Sequence, residues 1–230
     1  MSEIADRIDD VRREVGTRPP AGAPEDTEGP AGEEVRTVLL ARAFDAPPET
    51  VWRACTDPER VGRWFLPLGG DLRPGGHYRL EGNAGGEILD CEPPRLLRVS
   101  WLFGESPGFG EVELRLAPEP EDGGRTAFEL EHIAVVPPGM WDRFGPGAVG
   151  VGWDLALLGL DLHLLGRPVG DPAAWQVSDE AREFIARSAE RWGAAHRASG
   201  APEDVAASAA RETTAFYAPP GPPEDSAETA

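Results

Sequence analysis

VLLARAFDAPPETVWRACTDPERVGRW, residues 38–64, joins a strand to two short helices, and each join can be read from its residues. Val38, Leu40 and Phe44 recur at period two and share one face of a strand, with Arg42 the odd member of that row. Asp45 to Pro48 stops the strand: a proline cannot donate to a ladder, and its fixed φ suits the first turn of a helix. Val51, Trp52 and Cys55 follow at helical spacing. Thr56 and Glu59 then stand three apart around Asp57 and Pro58, a capping-box arrangement that predicts a second helix ending near Trp64 and Phe65.

Beyond this stretch the apolar period stays at two. Gly69–Gly76 carries turn signals, and Tyr78 and Leu80 alternate with His77 and Arg79. Asn83 to Gly86 turns the chain, and a strand over Glu87–Cys91 is closed by Pro93 and Pro94. Leu97, Val99, Trp101 and Phe103 form the next apolar row, then Val112, Leu114 and Leu116. A turn at Asp122–Gly124 leads to Thr126, Phe128, Leu130 and His132. Six strands are expected, or seven if the chain breaks differently after Glu81, in an antiparallel meander. After a loop over Pro137–Pro146 the period changes to helical. Val149–Leu165 is nearly all apolar, with Trp153, Leu157, Leu160 and Leu164 at three- and four-residue steps. One apolar sheet face and one apolar helix solve a single burial problem if the sheet curls around the helix, so the expected class is α+β.

The ends differ in composition. Residues 1–34 read as a short helix striped by Ile4, Ile8, Val11 and Val15, then a flexible acidic linker rich in Pro and Gly. The domain proper spans 35–168. Over 169–217 a helical hairpin is expected: Ser178 caps a helix with Ala181, Phe184, Ile185, Ser188, Ala189 and Trp192 on one side, and Pro202 opens a second with Val205, Ala209 and Phe216. Residues 218–230 form a Pro-rich acidic tail, expected to be disordered.

Phe44-Asp45-Ala46-Pro47-Pro48-Glu49, Val51-Trp52, Thr56-Asp57-Pro58-Glu59 and Trp64 resemble the SRPBCC (START-like) superfamily, in the branch related to the C-terminal domain of activators of the heat-shock protein 90 ATPase. Pro74-Gly75-Gly76, Pro93-Pro94-Arg95-Leu96, Ser100-Trp101 and Gly152-Trp153 extend the resemblance, which covers roughly Val35 to Leu165. It implies a helix-grip fold, a curved antiparallel sheet around a long C-terminal helix with two short helices after the first strand. It also implies a space between sheet and helix that holds an apolar ligand. The candidate lining is Arg42, Trp64, Tyr78, Trp101, Phe103, Phe128, Leu130, His132, Trp153 and Leu157. Aromatic area with a few polar tips is the make-up of a ligand pocket, and equally of a filled core.

Three functions follow as expectations. The first is a non-enzymatic domain binding a hydrophobic small molecule. The second is a chaperone-regulating module like the heat-shock protein 90 activators, although residues 1–34 are too short to supply the separate N-terminal domain of the eukaryotic ones. The third is an enzyme of the polyketide cyclase or aromatase kind, for which His132, Tyr78 and Arg42 are the acid–base candidates. Arg42 and His132 fall on the parity of apolar rows. Arg42 needs an acidic partner, a ligand carboxylate or a route to solvent, and His132 is either a hydrogen-bonded structural histidine or a ligand contact.

Composition narrows the partners. The net charge is −19 and every cation is an arginine, which disfavours nucleic acid and anionic membrane. MSEIADRIDD lacks the basic start and apolar run of a signal peptide, and Val149–Leu165, the nearest candidate span, contains Asp154, Asp161 and His163. Cys55 and Cys91 form no CxxC and read as buried thiols, with a reducing cytoplasm as the default setting. His77, His163 and His196 are scattered, so no metal is expected, and no phosphate-loop or dinucleotide motif calls for a cofactor. Asp154 and Asp161, seven apart, are expected on the solvated face of the helix. The terminal helices leave a chaperone or a second copy of the chain as further partners.

Overall fold

Val35–Phe44, the strand that opens the domain, is strand β2 of an eight-stranded antiparallel sheet in a computed structural model. The structure describes residues 6–17, 35–104, 108–120, 124–167 and 171–219. The other strands are β1 (Arg12–Thr17), β3 (Leu68–Gly70), β4 (His77–Leu80), β5 (Gly85–Glu92), β6 (Leu96–Ser100), β7 (Gly110–Pro118) and β8 (Thr126–Val135). Their order across the sheet is β1-β2-β8-β7-β6-β5-β4-β3, a meander from β3 to β8 whose last strand returns beside β2. The helices are α1 (Pro48–Thr56), α2 (Pro58–Val61), α3 (Pro138–Phe144), α4 (Gly147–Leu164), α5 (Pro172–Gln176), α6 (Asp179–Ala198) and α7 (Glu203–Tyr217).

The 38–64 stretch forms a strand and two helices, with one change of detail. Asp57, not Thr56, caps α2: its carboxylate accepts from the Glu59 N–H at 2.9 Å, while the Thr56 hydroxyl donates back to the Trp52 carbonyl at 2.8 Å. Pro58 at the start of α2 costs nothing, since that N–H has no helical partner. Leu40, Phe44, Leu114, Leu116 and Phe128 from the sheet pack against Val151, Leu157 and Leu160 of α4 and Val51 and Trp52 of α1, which makes the α+β helix-grip architecture. Eight strands replace the six or seven expected, because β1 and the short β3 join the sheet. Part of the expected loop 137–146 is helical as α3.

The N-terminal segment is the largest correction. Residues 12–17 are not helical: they pair antiparallel with β2, Arg13 opposite Leu40 and Val15 opposite Val38. A spacing of four, Val11 to Val15, is common to one face of a helix and one face of a strand, and the open edge of β2 decides between them. Ile8, in the turn before β1, packs among Leu158, Leu162 and Phe184. Residues 1–5, 18–34 and 220–230, with their expected stripe residue Ile4, linker and tail, lie outside the described residues, as does most of the Asp122–Gly124 turn.

Asp154 and Asp161 are 2% and 5% exposed, not solvated. The face of α4 that carries them is covered by the N-terminal segment and α6. Arg13 binds Asp154 through two nitrogens at 2.9 and 3.1 Å, and Asp154 also accepts from the Ser188 hydroxyl at 2.5 Å and Trp192 Nε1 at 2.9 Å. Arg7 reaches Asp161 at 2.5 Å and Arg42 at 3.5 Å. Burial pushes the Asp154 carboxyl pKa up, and Arg13 with the two other donors pulls against it. Among the polar groups, these contacts fasten strand β1, α4 and the hairpin α6–α7 into one body. α4 is long and apolar enough to cross a bilayer, yet more than half of it is buried inside the domain, where it serves as the core helix.

Candidate ligand cavity

Sheet, α4 and the α1–α2 corner do not close completely on one another. Between them lies a cavity of about 200 Å³. Leu40, Tyr78, Leu80, Leu97, Val99, Trp101, Val112, Leu114, Phe128 and Leu130 line it from the sheet; Trp153, Ala156, Leu157 and Leu160 from α4; Cys55, Thr56, Val61, Trp64 and Phe65 from the corner. The wall is almost wholly apolar. Its size falls between the ~150 Å³ hollow that holds benzene and the ~300 Å³ at the lower end of pockets for drug-sized ligands, so it suits one or two fused rings.

Register explains how so many strands contribute. Val112, Leu114 and Leu116 stand opposite His132, Leu130 and Phe128, so one row crosses β7 and β8 at the same parity. On β5 the register shifts between Ile88 and Asp90. Ile88 pairs with Val99 and Cys91 with Leu97, so two residues three apart both turn inward, where plain alternation would send Asp90 in. Trp64 and Phe65 stack at 5.5 Å beyond α2, and Trp64 Nε1 donates to the Ala54 carbonyl at 2.9 Å, fixing the ring against α1.

Seven of the ten expected lining residues meet at this cavity: Trp64, Tyr78, Trp101, Phe128, Leu130, Trp153 and Leu157. Three do not. Arg42 has the right parity, but its side chain is drawn over the Phe44 ring at 4.8 Å and to Asp161 at 3.5 Å, away from the cavity wall. Burial lowers its pKa, and Asp161 works against the shift. Phe103 lies beyond the end of β6, next to Gly104 at φ 74°, and is 67% exposed. His132 stands behind the wall: its Nδ1 accepts from Trp153 Nε1 at 3.1 Å, and its ring lies 6.3 Å from that of Trp101. That hydrogen bond puts the imidazole proton on Nε2, and burial pushes the pKa down to about 4.

Phe65, Leu72, Ile88, Cys55 and Cys91 line the cavity without having been expected there. Phe65 carried a signal, as the aromatic next to Trp64 at the end of α2. Cys91 carried none, because a bulge is not written in the alternation. Burial pushes the Cys55 thiol up to about 12 and, with Asp90 adding to it, raises that of Cys91, so both stay protonated and poorly nucleophilic. The Tyr78 hydroxyl donates to the Ser100 carbonyl at 2.8 Å, and burial raises its pKa too. Among the described residues no three His, Cys, Asp or Glu side chains come together in a way that would hold a metal ion. A second hollow, of about 1160 Å³, lies between α4 and the hairpin, with Arg63, His163 and Arg182 among its lining.

The geometry can be set beside known proteins. A family model described as "Activator of Hsp90 ATPase homolog 1-like protein" matches residues 45–164, just over half of the chain. No curated protein sequence matches. The crystal structure of CalU16 from Micromonospora echinospora is similar at 38% identity over 81% of this chain and 98% of that one, with a TM-score of 0.60. The solution structure of CalU16 gives 37% identity, 83% and 97% coverage and a TM-score of 0.62. PFC0360w of Plasmodium falciparum, described as an HSP90 activator, is 22% identical over 44% of this chain and 74% of that one with a TM-score of 0.39, a distance at which it bears on no functional question. With the family match over more than half its length and a 38% identical relative matched along nearly all of its own, the chain belongs to the Activator of Hsp90 ATPase homolog 1-like family, in the SRPBCC superfamily.

Proposed function

We propose that this protein is a non-enzymatic carrier or sensor that holds a small hydrophobic molecule between sheet and helix. The observation that carries the reading is the 200 Å³ apolar cavity at the heart of the grip, a space that a domain serving only as a scaffold would fill. Acid–base chemistry needs a group that meets the guest with a proton to give or a lone pair to take it. Tyr78 gives its proton to Ser100, His132 gives its Nδ1 lone pair to Trp153, and Arg42 serves Asp161, which supports binding over turnover. Two unpaired cysteines fit a reducing, cytoplasmic setting.

The test is a titration with an environment-sensitive aromatic probe of two fused rings, 1-aminonaphthalene, read by its fluorescence and by protein melting temperature. Saturable binding that Leu130→Trp abolishes in a folded variant supports the reading. Binding unchanged by Leu130→Trp, or absent in the wild type, refutes it.

A further inference from the structure

The hollow between α4 and the α6–α7 hairpin differs in chemistry from the inner cavity. Leu155, Leu158, Leu162, Trp175 and Ile185 give it apolar surface, and its volume of about 1160 Å³ is just above the ~300–1,000 Å³ typical of ligand sites. Beside that surface stand Arg63 from the turn after α2, His163 from the last turn of α4 and Arg182 from the first turn of α6. The chain has 41 acidic residues, yet among the described residues no aspartate or glutamate lines this hollow. The Arg182 guanidinium meets the Pro219 carbonyl at 3.4 Å, and Pro219 is itself in the wall, which places that charge at the hollow. Among the described residues no carboxylate lies within ion-pair distance of Arg182 or His163, and the Arg63 partner, Glu59, is exposed. Burial lowers the His163 pKa, and the positive charges of Arg60 and Arg63 lower it further, so the field on the α2 side is positive. Nearby acceptors are already supplied: the Asp161, Leu162 and His163 carbonyls at the end of α4 accept from Leu165, Arg167 and Gly166, and Glu180 accepts from Trp175 Nε1 at 3.0 Å.

We propose that this hollow is a second binding site, for an amphipathic organic anion whose apolar body lies against α4 and α6 and whose carboxylate meets the basic groups Arg63, His163 and Arg182. Charge complementarity chooses the sign of the guest. An ammonium in the same place would face three basic side chains with no carboxylate in the wall to receive it. The net charge of −19 draws cations to the chain as a whole, so a preference for an anion here has to come from this wall. The site is separate from the inner cavity and does not require that the inner cavity be occupied.

The experiment compares decanoate with decylammonium, two probes of one chain length and opposite charge, by calorimetry at neutral pH on the full chain. The wild type is expected to bind decanoate more tightly than decylammonium. Arg63→Gln with Arg182→Gln, both at the edge of the hollow and outside the packed core, should weaken decanoate by ~10-fold and leave decylammonium no weaker. Leu130→Trp, which fills the inner cavity, should leave decanoate binding as it was. Decylammonium bound as tightly as decanoate by the wild type, or decanoate binding indifferent to the two arginines, overturns the inference. Loss of decanoate binding in folded Leu130→Trp places the anion in the inner cavity and overturns it too, while leaving the proposed function standing. Absence of decanoate binding to the full chain also overturns it, and binding that appears only when residues 220–230 are deleted assigns the hollow to the chain's own acidic C-terminus instead.

Discussion

Ala156→Leu tests the cavity through the sign of a stability change. Ala156 lies on α4 and its side chain lines the hollow, so leucine would add three carbons there. Alanine and leucine are similar helix formers, so the backbone contributes little. If the space is empty, burying three carbons yields roughly 2.4 kcal/mol at ~0.8 each, and ordering the leucine removes ~0.5–1, leaving a gain of about 1.5 kcal/mol. For a chain of this size that corresponds to a rise of about 3–6 °C in melting temperature. In a filled core the same substitution forces off-rotamer side chains and costs ~1–3 kcal/mol, a fall of similar size. Thermal melting and urea unfolding both read the difference. Destabilisation by more than about 1 kcal/mol would refute the reasoning that the grip encloses free volume.

Arg13→Met leaves Asp154 buried without its partner and is expected to destabilise by ~3–5 kcal/mol, while adding Asp154→Leu recovers most of the loss; a cost below ~1 kcal/mol in urea unfolding would mean that β1 is not fastened to α4 as described. A Cβ on Gly150 would fall within the Trp192 ring, so Gly150→Ala should part α4 from α6 at a cost of ~1–3 kcal/mol, seen as faster limited proteolysis of the hairpin; unchanged proteolysis would contradict that packing. For His132 the folded pKa of about 4 lies below the ordinary 6.5, so the fold favours the neutral ring. Its contribution, about 3 kcal/mol, is complete above the unfolded pKa and is lost as pH falls from about 6.5 through 4. His132→Gln, which keeps an acceptor for Trp153, should flatten the stability–pH curve in that window relative to wild type, and parallel curves would refute the shift.

Sequence carried the architecture where local chemistry decides it. Residues 44–59 contain their own stops and caps, and the apolar rows of Leu97–Val99 and Val112–Leu116 keep one face on folding, although Glu111 and Glu113 of the opposite row are buried as well. It failed where a distant partner decides. Asp154 and Asp161 share a face of α4, but that face is covered by Arg7 and Arg13, more than 140 residues upstream, and by Ser188 and Trp192. No spacing rule anticipates such a cover. The same cause took Arg42 out of the cavity, since its carboxylate partner Asp161 sits beyond the wall. Parity placed Leu130 and Tyr78 correctly but could not see the β5 bulge that turns Cys91 inward.

Nuclear Overhauser contacts between the ring protons of bound 1-aminonaphthalene and the protein's methyl groups address the proposed carrier role most directly. Cross-peaks to Ile88, Leu97, Leu130 and Leu157, which all face the cavity, are expected. Cross-peaks confined to Leu155, Leu162 and Ile185, in the outer hollow beneath the hairpin, would contradict it.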